Sequence, residues 1–168
     1  MSDFTIRPLK ASDVDRVVEI LEDGRATLAE AGVDQWQGSY PNRQTVEEDL
    51  ASGQGRVILD HDQNTCGYYY FLVGEDPAYI DIKGSWETTA PYGVIHRLAS
   101  AKEARGRGVG RAAFELAAEE CRRLGLSSLR VDTHEDNETM HHLISQAGFT
   151  YRGHVWCEGD RLAFEKPL

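Results

Sequence analysis

The sequence predicts a mixed α/β fold, in which a β-sheet is flanked by helices. Segments rich in β-branched and aromatic residues alternate with segments whose apolar residues recur every three or four positions. The chain then ends in two strand-like segments joined by a turn, which completes the pattern of a mixed sheet. With 168 residues, 40% of them hydrophobic, we expect one domain over residues 1–168.

The N-terminal segment predicts a strand followed by a helix. Phe4 to Arg7 is the strand, and it ends at Pro8 because proline cannot donate to a sheet ladder. Ser12 or Asp13 caps the helix, whose apolar residues recur at spacings of three and four. These residues are Val14, Val17, Val18 and Leu21.

A short helix and a β-hairpin are predicted next. The helix covers Thr45 to Leu50, and the hairpin strands run from Arg56 to Leu59 and from Cys66 to Val73. Residues 74–91 contain several glycines and prolines, which indicates a long connection that includes a short strand from Tyr79 to Ile82.

The second half of the chain alternates strands and helices until the closing hairpin. A strand from Tyr92 to Ser100 precedes a long helix that ends at Gly125. The remaining elements are a strand from Ser128 to Thr133, a helix from Asn137 to Ala147, and closing strands from Phe149 to Trp156 and from Arg161 to Glu165.

The composition indicates which partners and which cellular location to expect. The formal net charge of -10 disfavours nucleic acid and anionic membranes as partners. The N-terminus lacks a secretion signal and no apolar run is long enough for a membrane span, so we expect a cytoplasmic protein. Cys66, Cys121 and Cys157 are odd in number and far apart, which favours free thiols.

A loop of alternating arginine and glycine lies between the Tyr92 to Ser100 strand and the long helix. It consists of Arg105, Gly106, Arg107, Gly108, Val109, Gly110 and Arg111. Glycines let the backbone approach a ligand closely, and the unpaired N–H groups of a helix start attract phosphate oxygens. The loop is therefore predicted to bind a phosphate group, helped by its arginines.

Other interpretations of this loop fit less well. Arg/Gly tracts that bind RNA are usually repeated and disordered, whereas this one is short and lies between ordered elements. The glycine spacing differs from the dinucleotide-binding pattern, and no Lys-Ser or Lys-Thr follows as in a P-loop. A plain connection between strand and helix would not need this composition.

The loop resembles the signature of the GNAT superfamily of N-acetyltransferases, Gln/Arg-x-x-Gly-x-Gly/Ala at a strand-to-helix junction. The resemblance covers nearly the whole chain, from Ile6 and the Asp13 helix to the block from Asn137 to Phe149. It implies a centrally splayed mixed sheet of about six to seven strands with about four helices. It also implies transfer of an acetyl group from acetyl-CoA to a primary amine by direct attack.

The resemblance further implies where acetyl-CoA binds. The backbone amides of the loop would hold the CoA pyrophosphate, and the strand backbone at Leu98, Ala99 and Ser100 would bind the pantetheine arm. Asn137 matches the family's asparagine near the cofactor, and it is also the expected N-cap of the late helix.

Direct attack by an amine requires a base, because amines are mostly protonated at neutral pH. Relatives often carry a glutamate on this strand, roughly at the position of Val94. Strand alternation puts Val94, His96 and Leu98 on one face, so His96 is the nearest titratable group. His96 is the predicted base. The alternatives are that His96 is buried and hydrogen-bonded for structure, or that a relay of water molecules takes the proton instead.

The general acid is less evident. Many relatives use a tyrosine of the late helix, and that position is Ile144 here. Tyr151 and Cys157 are weak substitutes, while His134 is a second candidate for the acid or for substrate contact, or else a loop residue that caps the next helix. The histidines around that helix lack metal-ligand spacing, so we expect no metal.

Aromatic residues are predicted to line the acceptor site. Trp36, Tyr40 and Trp86 can cover an apolar or cationic small molecule or peptide amine, and anchoring of loops is the alternative. The acidic surface favours a cationic acceptor. A noncatalytic acyl-CoA sensor or interaction module is the alternative function, and the closing strands could pair two subunits into a homodimer.

Overall fold

The structure, a computed structural model, describes residues 3–168 as eight strands, five α-helices and two 3-10 turns. These elements form two compact units. One comprises residues 3–71 and 97–116, and the other comprises Leu72–His96 and Ala117–Leu168. None of the helices within the described residues has the length and hydropathy needed to cross a membrane. That the chain is a single domain stays a prediction.

The first unit carries the N-terminal elements and the start of a long helix. They are β1 (Thr5–Pro8), α1 (Val14–Glu30), α2 (Arg43–Ser52), β2 (Gly55–Leu59), most of β3 (Thr65–Gly74) and the beginning of α4 (Val109–Arg123). The strands β1, β2 and β3 pair antiparallel in that order, and β3 is followed in the sheet by β5 (Tyr92–Ser100). The pairing of β2 with β3 confirms the predicted hairpin.

Local signals set both ends of α2. The Asn42 side chain accepts a hydrogen bond from the Thr45 amide at 3.0 Å, and the Thr45 hydroxyl accepts one from the Asn42 amide at 3.1 Å. Gly53 ends the helix with φ of +73°, a left-handed conformation that favours glycine. The helix therefore extends two residues beyond the predicted span at each end, and it presents Asp49 on its buried face.

The second unit contains the remaining strands. Its elements are α3 (Pro77–Ile80), β4 (Lys83–Gly84), the N-terminal half of β5, the rest of α4, β6 (Ser128–Thr133), α5 (Glu138–Gln146), β7 (Thr150–Trp156) and β8 (Asp160–Pro167). Their order in the sheet is β5-β6-β8-β7-β4. Strand β5 pairs parallel with β6, and the other pairs are antiparallel. This arrangement confirms a mixed α/β fold.

The connection between β3 and β5 differs from the prediction. The expected strand from Tyr79 to Ile82 is wrong, because Asp76 caps a helical turn there: its side chain accepts a hydrogen bond from the Ala78 amide at 2.9 Å, and Pro77 occupies the first helical position. A two-residue strand, β4, follows and pairs with β7. These two short elements raise the counts to eight strands and five helices, above the six to seven strands and four helices expected.

Candidate active site

The Arg/Gly loop has the backbone that a phosphate cradle requires. Gly106 and Gly108 adopt φ of +81° and +82°, in the left-handed region that favours glycine. Helix α4 begins directly after them at Val109, so the amides of its first turn have no acceptor within the helix. The Arg107 amide, by contrast, donates to the Ala104 carbonyl at 3.2 Å. The loop therefore offers first-turn amides and a helix dipole to an anion.

The arginine side chains of the loop contact other groups of the first unit. Arg105 reaches the Asp23 carbonyl at 3.4 Å, Arg107 lies 3.7 Å from the Asp60 carboxylate, and Arg111 lies 3.4 Å from the Glu115 carboxylate. Arg107 also lines a polar cavity of about 580 Å³. The affinity of the loop for an anion is therefore expected to depend chiefly on backbone amides.

Strand β5 keeps its regular alternation only as far as His96. Tyr92 and Val94 pack in one cluster with Tyr79, and the His96 ring lies 6.0 Å from the Tyr79 ring, so these three β5 residues share a face. Arg97 then adopts φ of +56°, a left-handed conformation that is uncommon for a long side chain. The alternation that was expected to relate His96 to Leu98 is interrupted at this residue.

Contacts of its side chain hold Arg97 in this conformation. The guanidinium donates to both oxygens of Asp49, from Nη2 to Oδ1 at 2.6 Å and from Nε to Oδ2 at 3.2 Å. It also donates to the Tyr40 hydroxyl at 2.6 Å and lies 4.4 Å from the centre of the Tyr70 ring. Burial works to lower the pKa of Arg97, but Tyr40 and Asp49 outweigh it and raise that pKa.

His96 lies between two buried carboxylates of the second unit. Its Nε2 is 2.6 Å from Oδ2 of Asp76, the residue that caps α3. Its Nδ1 is 3.8 Å from Oδ2 of Asp132, near the end of β6. Tyr79 donates its hydroxyl proton to that same Asp132 oxygen at 2.5 Å. We call His96, Asp76, Asp132, Tyr79 and Cys157, which follows β7, the His96 cluster.

Burial controls the protonation of this cluster. The Asp132 side chain is 7% exposed, and burial raises its pKa although His96 and Tyr79 pull the pKa down. Burial and the nearby Asp132 charge also raise the pKa of Tyr79 and of the Cys157 thiol. Tyr79 and Cys157 are therefore protonated at neutral pH.

The geometry gives His96 one fixed nitrogen and one accepting nitrogen. An ionised Asp76 carboxylate can only accept, so Nε2 donates in the short hydrogen bond, and in a neutral imidazole Nδ1 then carries the lone pair. A carboxylate that orients the imidazole and stabilises its cation is the usual support for a histidine base. The arrangement can thus accept a proton at Nδ1.

Two other predicted proton-transfer residues have local partners. His134 Nδ1 accepts a hydrogen bond from the Asp136 amide at 3.0 Å, in the loop before α5. The Tyr151 side chain is 51% exposed, and its ring packs edge-on against Phe164 at 5.9 Å. These contacts support the loop role for His134 and a packing role for Tyr151.

The remaining predicted site residues also have identified contacts. Asn137 caps α5 by accepting a hydrogen bond from the Met140 amide at 3.2 Å. Trp86 donates from Nε1 to the Tyr79 carbonyl at 2.9 Å, and the Arg130 guanidinium lies 4.1 Å from its ring. The carbonyls of Trp36 and Tyr40 both accept hydrogen bonds from Arg25. The indole contacts support loop anchoring by Trp86, whereas the contacts from Arg25 hold the backbone of the loop that carries Trp36 and Tyr40.

Sequence reasoning missed most of the His96 cluster. Asp76 and Tyr79 lie in the connection before β5, Asp132 lies in β6, and Cys157, named above only as a weak substitute for the acid, follows β7; the packing of the second unit brings them to His96. A local signal existed for Asp76, because an aspartate directly before a proline is typical of a helix N-cap. The Arg97–Asp49 pair, 48 residues apart, had no such signal.

Comparisons with known proteins identify the family and the fold. The model of the acetyltransferase (GNAT) family matches residues 22–149. A solved GNAT-family acetyltransferase from Streptococcus agalactiae has a TM-score of 0.87 and 31% identity, covering 98% of this chain and 95% of that one. A comparison with curated proteins gave no match.

Two more distant structures share the fold. One is a phosphinothricin acetyltransferase from Sinorhizobium meliloti in complex with AcCoA, with a TM-score of 0.70, 19% identity, and coverage of 99% of this chain and 89% of that one. The other is a spermidine N-acetyltransferase from Vibrio cholerae in complex with CoA and spermine, with a TM-score of 0.66, 18% identity, and coverage of 99% and 96%.

Proposed function

Because the chain belongs to the GNAT family of acetyltransferases, we propose that it transfers the acetyl group of acetyl-CoA to a primary amine of a small molecule or peptide by direct attack. The position of His96 on β5 is the observation that supports direct attack on an amine. Its Nε2 is hydrogen-bonded to Asp76, and its Nδ1 faces the Asp132 carboxylate at 3.8 Å. A titratable group such as this imidazole is what an ammonium acceptor needs before it can attack a thioester.

The Arg/Gly loop is the proposed site for the CoA pyrophosphate. The left-handed Gly106 and Gly108, followed at once by the first turn of α4, support this role because they direct backbone amides toward an anion. The backbone of Leu98, Ala99 and Ser100 is the proposed partner of the pantetheine arm. These residues follow His96 on the same strand, so one strand carries both proposed functions.

His96 is the proposed general base. Its Nδ1 takes a proton from the acceptor ammonium, and the Asp76 carboxylate stabilises the imidazolium that results. The free amine then attacks the thioester carbonyl, a C–N bond forms and the C–S bond breaks. The proton lost by the attacking nitrogen passes to the departing thiolate, so that CoA leaves as the thiol. The buried carboxylates of Asp76 and Asp132 favour a cationic acceptor, as does the net charge of -10.

The experiment is a screen for acetylated products by mass spectrometry with amino acids, polyamines, aminoglycosides and peptides as acceptors. We expect acetyl-CoA-dependent product with at least one cationic amine. His96→Gln should lower kcat by about 100-fold or more while acetyl-CoA still binds, because a positioned base contributes roughly 10²–10⁴ to rate. Wild-type kcat in His96→Gln would contradict the base role.

The alternative function is a noncatalytic acyl-CoA sensor. Ile144 favours it, because this buried residue stands where relatives carry the tyrosine that serves as acid. Saturable stabilisation by acetyl-CoA with no product from any amine class would support the sensor. A cytoplasmic location and a homodimer stay predictions.

A further inference from the structure

We propose that His96, Asp132 and Cys157 form a binding site for one Zn²⁺ ion, and that its occupancy blocks acetyl transfer. The three residues belong to β5, to β6 and to the turn after β7. One ligand atom from each lies within 4.8 Å of the other two. The proposal of a binding site stands alone, whereas the block of acetyl transfer rests on the proposed function of His96.

The chemical types of the three ligand atoms favour Zn²⁺ over other divalent cations. An imidazole nitrogen, a carboxylate oxygen and a thiol sulfur together form the mixed set that Zn²⁺ binds in proteins. Mg²⁺ and Ca²⁺ prefer oxygen ligands alone, so the thiol of Cys157 disfavours them. Three protein ligands leave a fourth tetrahedral position for water.

The spacing of the ligand atoms suits a shared metal ion better than a direct hydrogen bond. His96 Nδ1 and Asp132 Oδ2 are 3.8 Å apart, beyond the usual length of a hydrogen bond. Two ligands at about 2.0–2.2 Å from one tetrahedral Zn²⁺ lie about 3.3–3.6 Å apart, so a closure of a few tenths of an ångström suffices. Cys157 lies in a turn, where a change of side-chain rotamer can bring its sulfur closer.

Neighbouring groups orient the ligands as they do around known metal sites. A histidine that binds zinc commonly donates its other ring N–H to a carboxylate, and His96 Nε2 lies 2.6 Å from Asp76. This bond leaves the Nδ1 lone pair facing the Asp132 carboxylate. Tyr79 fixes that carboxylate through the 2.5 Å hydrogen bond. Two acceptors that face one another in this way are stabilised by a cation between them.

The balance of charge around the site also favours a cation. His96 and Arg161 are both positive charges that lower the pKa of Asp132, but a histidine that binds zinc is neutral, so the carboxylates of Asp76 and Asp132 then face the charge of Arg161. Zn²⁺ would replace the thiol proton of Cys157, so a Zn–S bond forms and one proton passes to solvent. A neutral thiol in a half-buried, acidic site thereby becomes a thiolate ligand.

Metal binding and base catalysis compete for the same lone pair. A Zn²⁺ ion on His96 Nδ1 prevents that nitrogen from taking the proton of the acceptor ammonium. Zn²⁺ would thus be an inhibitor that acts by occupying the base.

The binding test uses the full-length protein after treatment with a chelator. Titration with Co²⁺ should give thiolate-to-cobalt absorption in the near ultraviolet that saturates at one equivalent, and Zn²⁺ should displace the Co²⁺. Cys157→Ser should abolish this absorption, and Asp76→Asn should weaken Zn²⁺ binding about 10–100-fold. Cys121→Ala, which removes a buried thiol of α4, is the matched control and should bind as the wild type does.

Native mass spectrometry of the wild-type protein with Zn²⁺ needs no variant, and one bound ion is expected. Absence of a bound ion, or thiolate-to-cobalt absorption that survives in Cys157→Ser, would overturn the proposed site.

Measurements of acetyl transfer with and without Zn²⁺ distinguish failure of the metal site from failure of the proposed function. Acetylated amine is measured by mass spectrometry, because the thiol of released CoA binds Zn²⁺ and disturbs thiol reagents. Zn²⁺ at saturation should reduce wild-type turnover at least tenfold and a chelator should restore it, whereas the turnover of Cys157→Ser, whatever its zinc-free value, should be the same with and without Zn²⁺. Equal inhibition of both proteins would refute inhibition through this site. If no amine is acetylated, the proposed function fails while the Co²⁺ titration still tests the metal site.

Discussion

Replacement of Gly108 by alanine measures what the Arg/Gly loop contributes to acetyl-CoA binding. Gly108 has φ of +82°, and leaving its adjacent residues aside, no atom of the described chain lies within 4 Å of a Cβ placed there. The substitution therefore adds backbone strain without a steric clash. A left-handed conformation costs a non-glycine residue about 1–2 kcal/mol.

The strain alone has a modest effect on stability. For a chain of this size, a loss of about 1–2 kcal/mol lowers the melting temperature by roughly 2–8 °C. Gly53→Ala is the matched control, because Gly53 ends α2 with φ of +73° and has equally open surroundings. Both variants should therefore lose similar stability in the absence of ligand.

Acetyl-CoA should distinguish the two variants. At 100 times its Kd, a ligand adds about 2.7 kcal/mol to the free energy of unfolding of the native protein, which raises the melting temperature by roughly 5–11 °C. Strain at position 108 makes conformations outside the left-handed region more populated in the alanine variant, and these conformations turn the neighbouring amides away from the phosphate. We expect at least tenfold weaker binding, which removes about half of the ligand-induced rise.

The assay is thermal unfolding monitored over a titration of acetyl-CoA, with calorimetry to give Kd. Gly53→Ala should retain the wild-type Kd. Unchanged affinity in Gly108→Ala, or an equal loss in Gly53→Ala, would refute the assignment of the phosphate to this loop.

Three further substitutions concern buried contacts. Arg97→Met leaves the Asp49 carboxylate without its charged partner and should lower the free energy of unfolding in urea by about 3–5 kcal/mol; a loss below about 1 kcal/mol would contradict this. In Gly153→Ala the added Cβ collides with the Lys83 carbonyl oxygen, so the melting temperature of the variant should fall although β4 and β7 pair over only two residues. An unchanged melting temperature would contradict the close approach of these strands. Burial works to raise the pKa of Glu165, but hydrogen bonds and Arg130 lower it, so its stabilisation is present above the unfolded pKa of about 4.3 and is lost as pH falls through the lower folded pKa. The difference in stability between the wild type and Glu165→Gln should therefore shrink on acidification, and a difference that grows would contradict it.

The regular strands and helices followed from local pattern. The strands from Tyr92 to Ser100 and from Ser128 to Thr133 have the predicted bounds, because aromatic and β-branched runs end at clear turn signals. The α3 turn was missed because two apolar residues, Tyr79 and Ile80, suggested a strand. The capping aspartate before Pro77 decided that segment instead, which illustrates that a cap can outweigh side-chain propensity over four residues.

The candidate site likewise has one part that local sequence predicts and another that only the folded chain brings together. The cofactor loop was found from sequence because its chemistry is contiguous: glycine conformation and a helix start act within a few residues. His96 was found from its strand position alone. Asp76 and Asp132, which determine what the two nitrogens of His96 can do, approach it only through the folded second unit. No periodicity or spacing in the sequence encodes those contacts.

Arg97 shows why a residue next to a predicted base can matter without touching it. A glycine would adopt φ of +56° at no steric cost, whereas an arginine there costs roughly 1–3 kcal/mol. The arginine side chain offsets this strain through Asp49 of α2, Tyr40 and the Tyr70 ring of β3. Because Arg97 directly precedes Leu98, these contacts stabilise the first-unit backbone at the start of the proposed pantetheine-binding segment.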